Sequence, residues 1–245
     1  MSIFITLNTI GRVLTQIRHD HRSVGLLLTV PSVLLALLRY VFNDRPDIFD
    51  HVGLQLLGIF PLMSMFFVAS IAMLRERTQG TLERLLSTPM HKLDLLLGYG
   101  TAFGLVAVVQ ATITTAVAYL LLGLKAQGSV RIVVLIAIFA AILGASTGLL
   151  TSAFANTEFQ ALQFAPAVLV PQILLCGLIW PREEMLPGLR AVGNLLPMTY
   201  ASGALVQVGT YPHLTATAWR DMVVVLAFAI GLLVTAAATL RRRTN

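Results

Sequence analysis

Arg75, Glu76 and Arg77, followed by Gly80-Thr81-Leu82-Glu83-Arg84 and Leu85-Leu86, put charges of both signs into a few residues between two long apolar runs. Such a group suits ion pairing and docking better than bond-making chemistry. Thr81 has the side chain to cap a helix starting at Leu82, and Glu83 then falls in the first turn, where the helix dipole favours a carboxylate. Leu82, Leu85 and Leu86 stand at i, i+3 and i+4 on one face. Pro89 disfavours helical geometry at Thr88, so the helix is about two turns long. Helices this short are marginal in water, so this one is expected to dock on something. Its mixed charge fits a protein groove better than an anionic lipid surface, which favours basic residues with few acids.

The remaining reactive side chains offer little chemistry. His19 and His21 flank Asp20, a pattern better suited to a solvated basic interface than to a metal site, and no metal ligand is assigned. Cys176 is the single cysteine, so an intrachain disulfide is excluded. No G-x-x-x-x-G-K-[ST] sequence and no Gly-Lys pair occurs, so the chain forms no phosphate-cradling P-loop. Any ATP hydrolysis must come from a partner.

The elements that carry the charged stretch are apolar. Of 245 residues 57% are hydrophobic and 11% charged, with mean hydropathy +0.83, far from the quarter of charged residues in a soluble domain. The chain reads as an all-α integral membrane protein. Runs able to span a bilayer are Ser23–Leu38 (to Phe42 if Arg39 snorkels), Val52–Leu74, Leu95–Leu124, Ile132–Thr157, Phe159–Pro181 and Met222–Leu240. Between the last two, Pro187, Gly188, Gly193 and Pro197 break a half-apolar segment into two short helices expected to re-enter the outer leaflet. At the N-terminus Ile3, Leu7, Ile10, Leu14 and Ile17 form one helical stripe, with Arg12, Gln16 and Arg18 on the other face. This suits an interfacial helix, and a helix packed on the bundle gives the same pattern. No cleavable signal peptide is expected there.

Six spans put both termini on one side. That side has ten of the 17 Lys and Arg residues and five of the 11 acids, so the positive-inside rule makes it cytoplasmic. The net charge of +6 and pI near 10.1 are read as loop charge rather than nucleic-acid binding. The expected division is an interfacial helix over 1–22, a six-span domain over 23–240 and a basic tail over 241–245.

Glu76, Gly80-Thr81-Leu82-Glu83, Leu85-Leu86, Pro89 and Leu95 to Gly98 together resemble the loop after the second span in type-2 ATP-binding-cassette export permeases, the group of daunorubicin-resistance-like exporters. Leu196 to Tyr200, Leu-Pro-x-Thr-Tyr, is similar to that family's second landmark, and the likeness covers nearly the whole chain. It implies a homodimer or heterodimer of permeases above two cytoplasmic ATPase subunits, which would hold ATP and Mg; this chain would bind no cofactor. It also implies that Glu76, Gly80, Thr81, Leu82, Glu83, Arg84 and Leu86 couple to the ATPase. The turn 156–160, with Glu158, would be a smaller contact. Spans two and five would line the path through Phe60, Met63, Phe66, Phe67, Gln163, Phe164 and Gln172, although Met and Phe there also suit packing against helices or lipid.

The expected function is that of a non-catalytic permease subunit in a bacterial-type inner membrane, exporting a hydrophobic or amphipathic compound, a drug or a lipid. A polysaccharide or glycolipid exporter is the alternative within the family. A membrane-embedded enzyme is a more distant one, since Glu183, Glu184 and Arg190 resemble the Glu-Glu-x-x-x-Arg of intramembrane prenyl-protease-like enzymes. Here the spacing is longer, Pro187 intervenes, and no His pair completes a metal site. An ion-coupled carrier ordinarily buries an ionisable residue at mid-membrane, and spans two, three and five offer none.

Overall fold

The computed structural model describes residues 3–79 and 92–239. Among them every regular element is helical: α1 (Ile3–His19), α2 (His21–Val41), α3 (Pro46–Thr78), α4 (Lys92–Ala116), α5 (Val130–Ser152), α6 (Glu158–Leu175), α7 (Pro187–Gly193), α8 (Pro197–Thr210) and α9 (Ala216–Thr239). Six helices are long and apolar enough to cross a bilayer: α2, α3, α4 with its extension to Leu121, α5, α6 and α9. The six expected spans are all present, and the protein is a multi-pass membrane protein. The end of the bundle that carries segment 80–91 is called proximal below, the other end distal.

α3 and α5 form the centre. In their most apolar stretches 61% and 67% of residues are buried, against 11% for α2 and 22% for α6. The two helices meet closely because Gly144 and Gly148 lie against the backbone of α3. A Cβ at either position would collide with the carbonyl oxygen of Leu62 or Phe66. This is the small-x-x-x-small device of membrane helices. Gly100 and Gly104 share the spacing but not the contact, since a Cβ there meets only side chains at 3.7–4.0 Å.

Helix ends follow local chemistry that charge counting misses. α3 runs over 33 residues, about 50 Å at 1.5 Å per residue, and so extends beyond the ~30 Å apolar slab. Pro46, Pro187 and Pro197 sit in the first turns of α3, α7 and α8, where a missing N–H costs nothing. α6 ends at Leu175, short of the expected Pro181, because Gly177 adopts φ +96°. Past Ala116, α4 widens into a π-helical turn, Val117–Leu121, and Gly123 at φ +69° ends it. The α5–α6 turn is closed by Thr157, whose hydroxyl accepts from Gln160 N at 3.1 Å while Gln160 Oε1 accepts from Asn156 N at 2.9 Å, a capping box in all but register.

Two helices do form between spans five and six. α8, at 14 residues, is about 21 Å long and too short to cross. It packs between α3, α5 and α9, with Met198, Ala201, Ala204 and Leu205 fully buried. Polar groups pin it. Gln172 Oε1 on α6 accepts from Met198 N at 3.3 Å, Ser202 Oγ donates to Gln55 Oε1 at 2.6 Å, and Gln55 Nε2 meets His51 Nε2 at 2.9 Å. At its C-terminus the carbonyls of Val208 and Gly209 accept from Gly128 N and Gln127 N.

α1 lies against α4. Among its described side chains Thr9 and Val13 are buried, with Ile10, Leu14 and Ile17 partly covered. Leu7, expected on the packing stripe, is 59% exposed. Arg12, expected on the outer face, turns instead onto the bundle to reach an ion-pair partner.

Candidate functional site

The proximal end of α3 carries three consecutive charged residues, and each goes to a different neighbour. A helix turns by about 100° per residue, so adjacent side chains fan around the axis. Arg75 pairs in two-pronged fashion with Glu158 at the start of α6, Nε to Oε1 at 2.8 Å and Nη2 to Oε2 at 3.3 Å. Glu76 turns inward and pairs with Arg12 of α1 at 3.2 Å. Arg12 Nη2 also donates to the Tyr99 hydroxyl of α4 at 2.8 Å, with its guanidinium 5.9 Å from the ring centre. Arg77 donates to the carbonyl oxygen of Ser152, the last residue of α5. One helix end thus holds α1, α4, α5 and α6.

The three links differ in surroundings. Arg75 and Glu158 are about half exposed, at 53% and 50% of their side-chain surface. Glu76 is nearly buried at 7%, with Arg12 at 32%. The Arg12–Glu76–Tyr99 cluster bears on the apolar group around Val13, Met73, Leu95 and Phe103. Arg77 serves a different need, since the last carbonyls of a helix lack intrahelical partners and a cation there is favoured by the dipole.

Of the expected coupling residues, Glu76 and Glu158 meet at this hub. Gly80, Thr81, Leu82, Glu83, Arg84 and Leu86 lie outside the described residues. Arg77 belonged to the charged group expected to pair and dock, but its partner Ser152 was not foreseen, and neither was the meeting of Arg12 with Tyr99. Arg12 stood out in the sequence as a cation opposite the apolar stripe of its helix, but nothing there marks its partner, which is 64 positions away.

The expected path residues fall into two groups. Phe60, Met63, Phe67 and Phe164 are partly exposed, and Gln163 is exposed. Phe66 is fully buried, edge-on to Phe67 at 5.7 Å, with its carbonyl against Gly148. Gln172 is 4% exposed and committed to α8. On α6 the exposed positions Phe159, Leu162, Gln163, Pro166, Ala167, Val170, Pro171 and Leu174 form one stripe. Pro166 and Pro171 have no N–H for the carbonyls of Leu162 and Ala167, so this stripe is more polar than its side chains suggest. Cys176 just beyond is 2% exposed, and burial pushes its thiol pKa up from the ordinary value.

A sequence model of the family described as "ABC-2 type transporter" matches residues 7–209. The chain is 25% identical over 204 residues to ABC transporter G family member 20 of Dictyostelium discoideum, covering 82% of this chain and 28% of that protein. It is 28% identical over 148 residues to the probable multidrug ABC transporter permease YbhR of Escherichia coli, covering 60% and 40%. The permease YbhS of the same organism is 30% identical over 134 residues, covering 54% and 36%. The chain thus spans two fifths or less of the length of each of these relatives.

Proposed function

The chain belongs to the ABC-2 type transporter family, and from that premise we propose that it is the permease subunit of an ATP-driven exporter, working as a dimer above two ATPase subunits. The second permease is another copy or a paralogue. The similarity to both YbhR and YbhS of one organism supports a paralogous pair. Both termini, segment 80–91 and the proximal hub face the cytoplasm in a bacterial-type inner membrane, as the charge bias favours. The chain binds no nucleotide, and ATP and Mg belong to the partner.

The observation that carries this reading is the fan of Arg75, Glu76 and Arg77 onto α6, α1 with α4, and α5. It stands one turn before Gly80 to Arg84. A push on that segment from an ATPase would reach four helices without passing through a mobile linker. The division at residue 22 fits the same scheme, with α1 as the connecting helix.

The cargo is hydrophobic or amphipathic, a drug-like compound or a lipid. The partly exposed Phe60, Met63, Phe67 and Phe164 give adaptable apolar walls, and Gln163 with the Pro-freed carbonyls of α6 adds polar points. The word "multidrug" in the relatives' names and "linearmycin resistance" in that of a Bacillus subtilis permease support this class. α8 and its partner α7 are re-entrant from the exit side.

Affinity purification of the tagged chain from its native membrane, with ATPase assay of the eluate, tests the reading. A co-eluting P-loop ATPase whose coupled activity falls at least tenfold on Glu83→Lys is expected. Elution of the chain without ATP hydrolysis, or full transport by the variant, defeats it.

A further inference from the structure

One of the polar ties on α8 leads back to water. α3 has 33 residues where about 20 suffice to cross a bilayer, and its distal first turns carry Asp47, Asp50 and His51. His51 is exposed. Its Nε2 meets Nε2 of Gln55, a residue 1% exposed, at 2.9 Å. The other end of the same amide, Oε1, accepts from Ser202 Oγ of α8 at 2.6 Å, and Ser202 is also 1% exposed. Ser202 in turn neighbours the thiol of Cys176, just past the end of α6. That thiol donates to Ile173 O at 3.2 Å. A titratable group in contact with water is thus joined, bond by bond, to the buried face of α8 and to the end of α6.

The direction of these bonds is not free. A side-chain amide has one donating end and one accepting end, and neither can serve for the other. With Nε2 of Gln55 turned to the ring, the ring nitrogen must accept. His51 is therefore neutral here, with its proton on Nδ1. A second proton makes donors of both ring nitrogens, and two donors then face each other. Gln55 is buried, so its Nε2 cannot turn to water instead, and an unmade hydrogen bond on a buried group is costly. The amide answers by turning over. Oε1 then accepts from the ring, and Nε2 donates to Ser202. The Ser202 hydroxyl now accepts on that side, and its own O–H is released toward Cys176 Sγ.

The other charges at this end are engaged elsewhere or lie on separate elements. α8 carries no charged residue, only the phenol of Tyr200. From α2 comes Arg39, its guanidinium 5.5 Å from the Phe49 ring centre. From the α4–α5 loop comes Lys125, whose N–H donates to Asp50 Oδ1 at 2.9 Å. α5 brings Arg131, the α8–α9 loop His213, and α3 itself Asp47. On α9, Arg220 and Asp221 pair with each other. Among the described residues none forms an ion pair with His51, so the bond to Gln55 is the contact that its charge acts on. We propose that His51 is a proton-sensing site at the distal surface, whose charge sets the hydrogen-bond direction through Gln55 and Ser202 onto Cys176. Imidazoles change charge between about pH 5 and pH 8, so the attachment of α8 to α3 and α6 responds to the acidity of the distal compartment.

The test uses the full chain in lipid nanodiscs, isotope-labelled at the histidine nitrogens. Nitrogen resonances of His51, assigned by their loss in His51→Gln, should show Nδ1 protonated and Nε2 bare near about pH 8, and both protonated near about pH 5. Cys176 is the single thiol, so its S–H stretching band in the infrared is unique. Accepting a hydrogen bond from Ser202 strengthens the bond that the thiol donates, and the band should move to lower frequency across the same transition. In Ser202→Ala and His51→Gln the band should remain and the movement vanish. None of these readouts depends on transport. A neutral ring protonated at Nε2, a ring that stays neutral down to about pH 5, or a band unmoved while His51 titrates overturns the proposal. So does a movement that survives Ser202→Ala. Where that variant fails to fold, the two readouts on the native chain decide alone.

Discussion

Arg75 and Glu158 are half exposed, so their pair is worth at most about 1 kcal/mol to stability, yet it joins the end of α3 to the start of α6. Charge reversal separates the two roles. Arg75→Glu should leave Tm within about 2 °C and reduce coupled ATPase activity, and Arg75→Glu with Glu158→Arg should restore it. Loss without rescue would deny the pair a part in coupling. Glu76 is the opposite case. Its carboxylate is 7% exposed, and removing its cation leaves a charge in an apolar setting. Arg12→Met should cost about 3 kcal/mol, read as a fall in Tm, and adding Glu76→Gln should recover part of it. An unchanged Tm for Arg12→Met would mean the cluster contributes nothing to folding. Glu76 was legible as a functional candidate because of its place before Gly80-Thr81-Leu82-Glu83. Its burial was not, because the cation comes from α1 and the hydroxyl from α4, both remote in sequence.

At the scale of elements, six apolar runs gave six spans, since the length needed to cross a bilayer is fixed by physics rather than by neighbours. The ends were less legible. Counting uncharged residues extended the fifth span to Pro181, whereas Gly177 stops it, and the apolar stripe of α1 put Arg12 on the opposite, polar face, whereas it turns onto the bundle. Glycine spacing was also ambiguous by itself. Gly100-x-x-x-Gly104 and Gly144-x-x-x-Gly148 read alike, and only the second brings two backbones together. Gly148→Val should therefore cost more than the roughly 1–3 kcal/mol typical of overpacking, read as a sharp fall in Tm, because a backbone carbonyl cannot move aside as a side chain can. Gly100→Ala should be neutral or gain up to about 1 kcal/mol from helix propensity. Equal effects at the two sites would contradict the close α3–α5 approach.

The whole molecule has a centre and an edge. α3 and α5 are mostly buried, while α2, α6 and α9 present their apolar faces outward. Among these faces α6 is distinct, with Gln163 and two prolines along its exposed stripe. A lipid-facing helix gains nothing from such groups, and in the proposed dimer we therefore place α6 toward the second permease. Gln163→Cys, treated with a short bifunctional maleimide in membranes, should give a crosslinked dimer of the chain. The native Cys176 adds little background, being buried with a raised thiol pKa. A variant that labels fully yet stays monomeric would place α6 against lipid. The expectation of a dimer came only through likeness to a family, because no periodicity within one chain tells a lipid-facing stripe from one that meets a copy of itself.

The three links at the end of α3 also restrict how that helix can move. They radiate from successive positions about 100° apart, so no turn of α3 about its own axis preserves one link by sacrificing another. Any sizeable rotation strains all three together, and a small tilt strains them unequally. Under the proposed coupling the arrangement would act as a detent, holding α3 at one angular setting against small torques and yielding only to a larger one. A helix mounted in this way would, in the proposed exporter, deliver a switch in discrete steps rather than a graded bend.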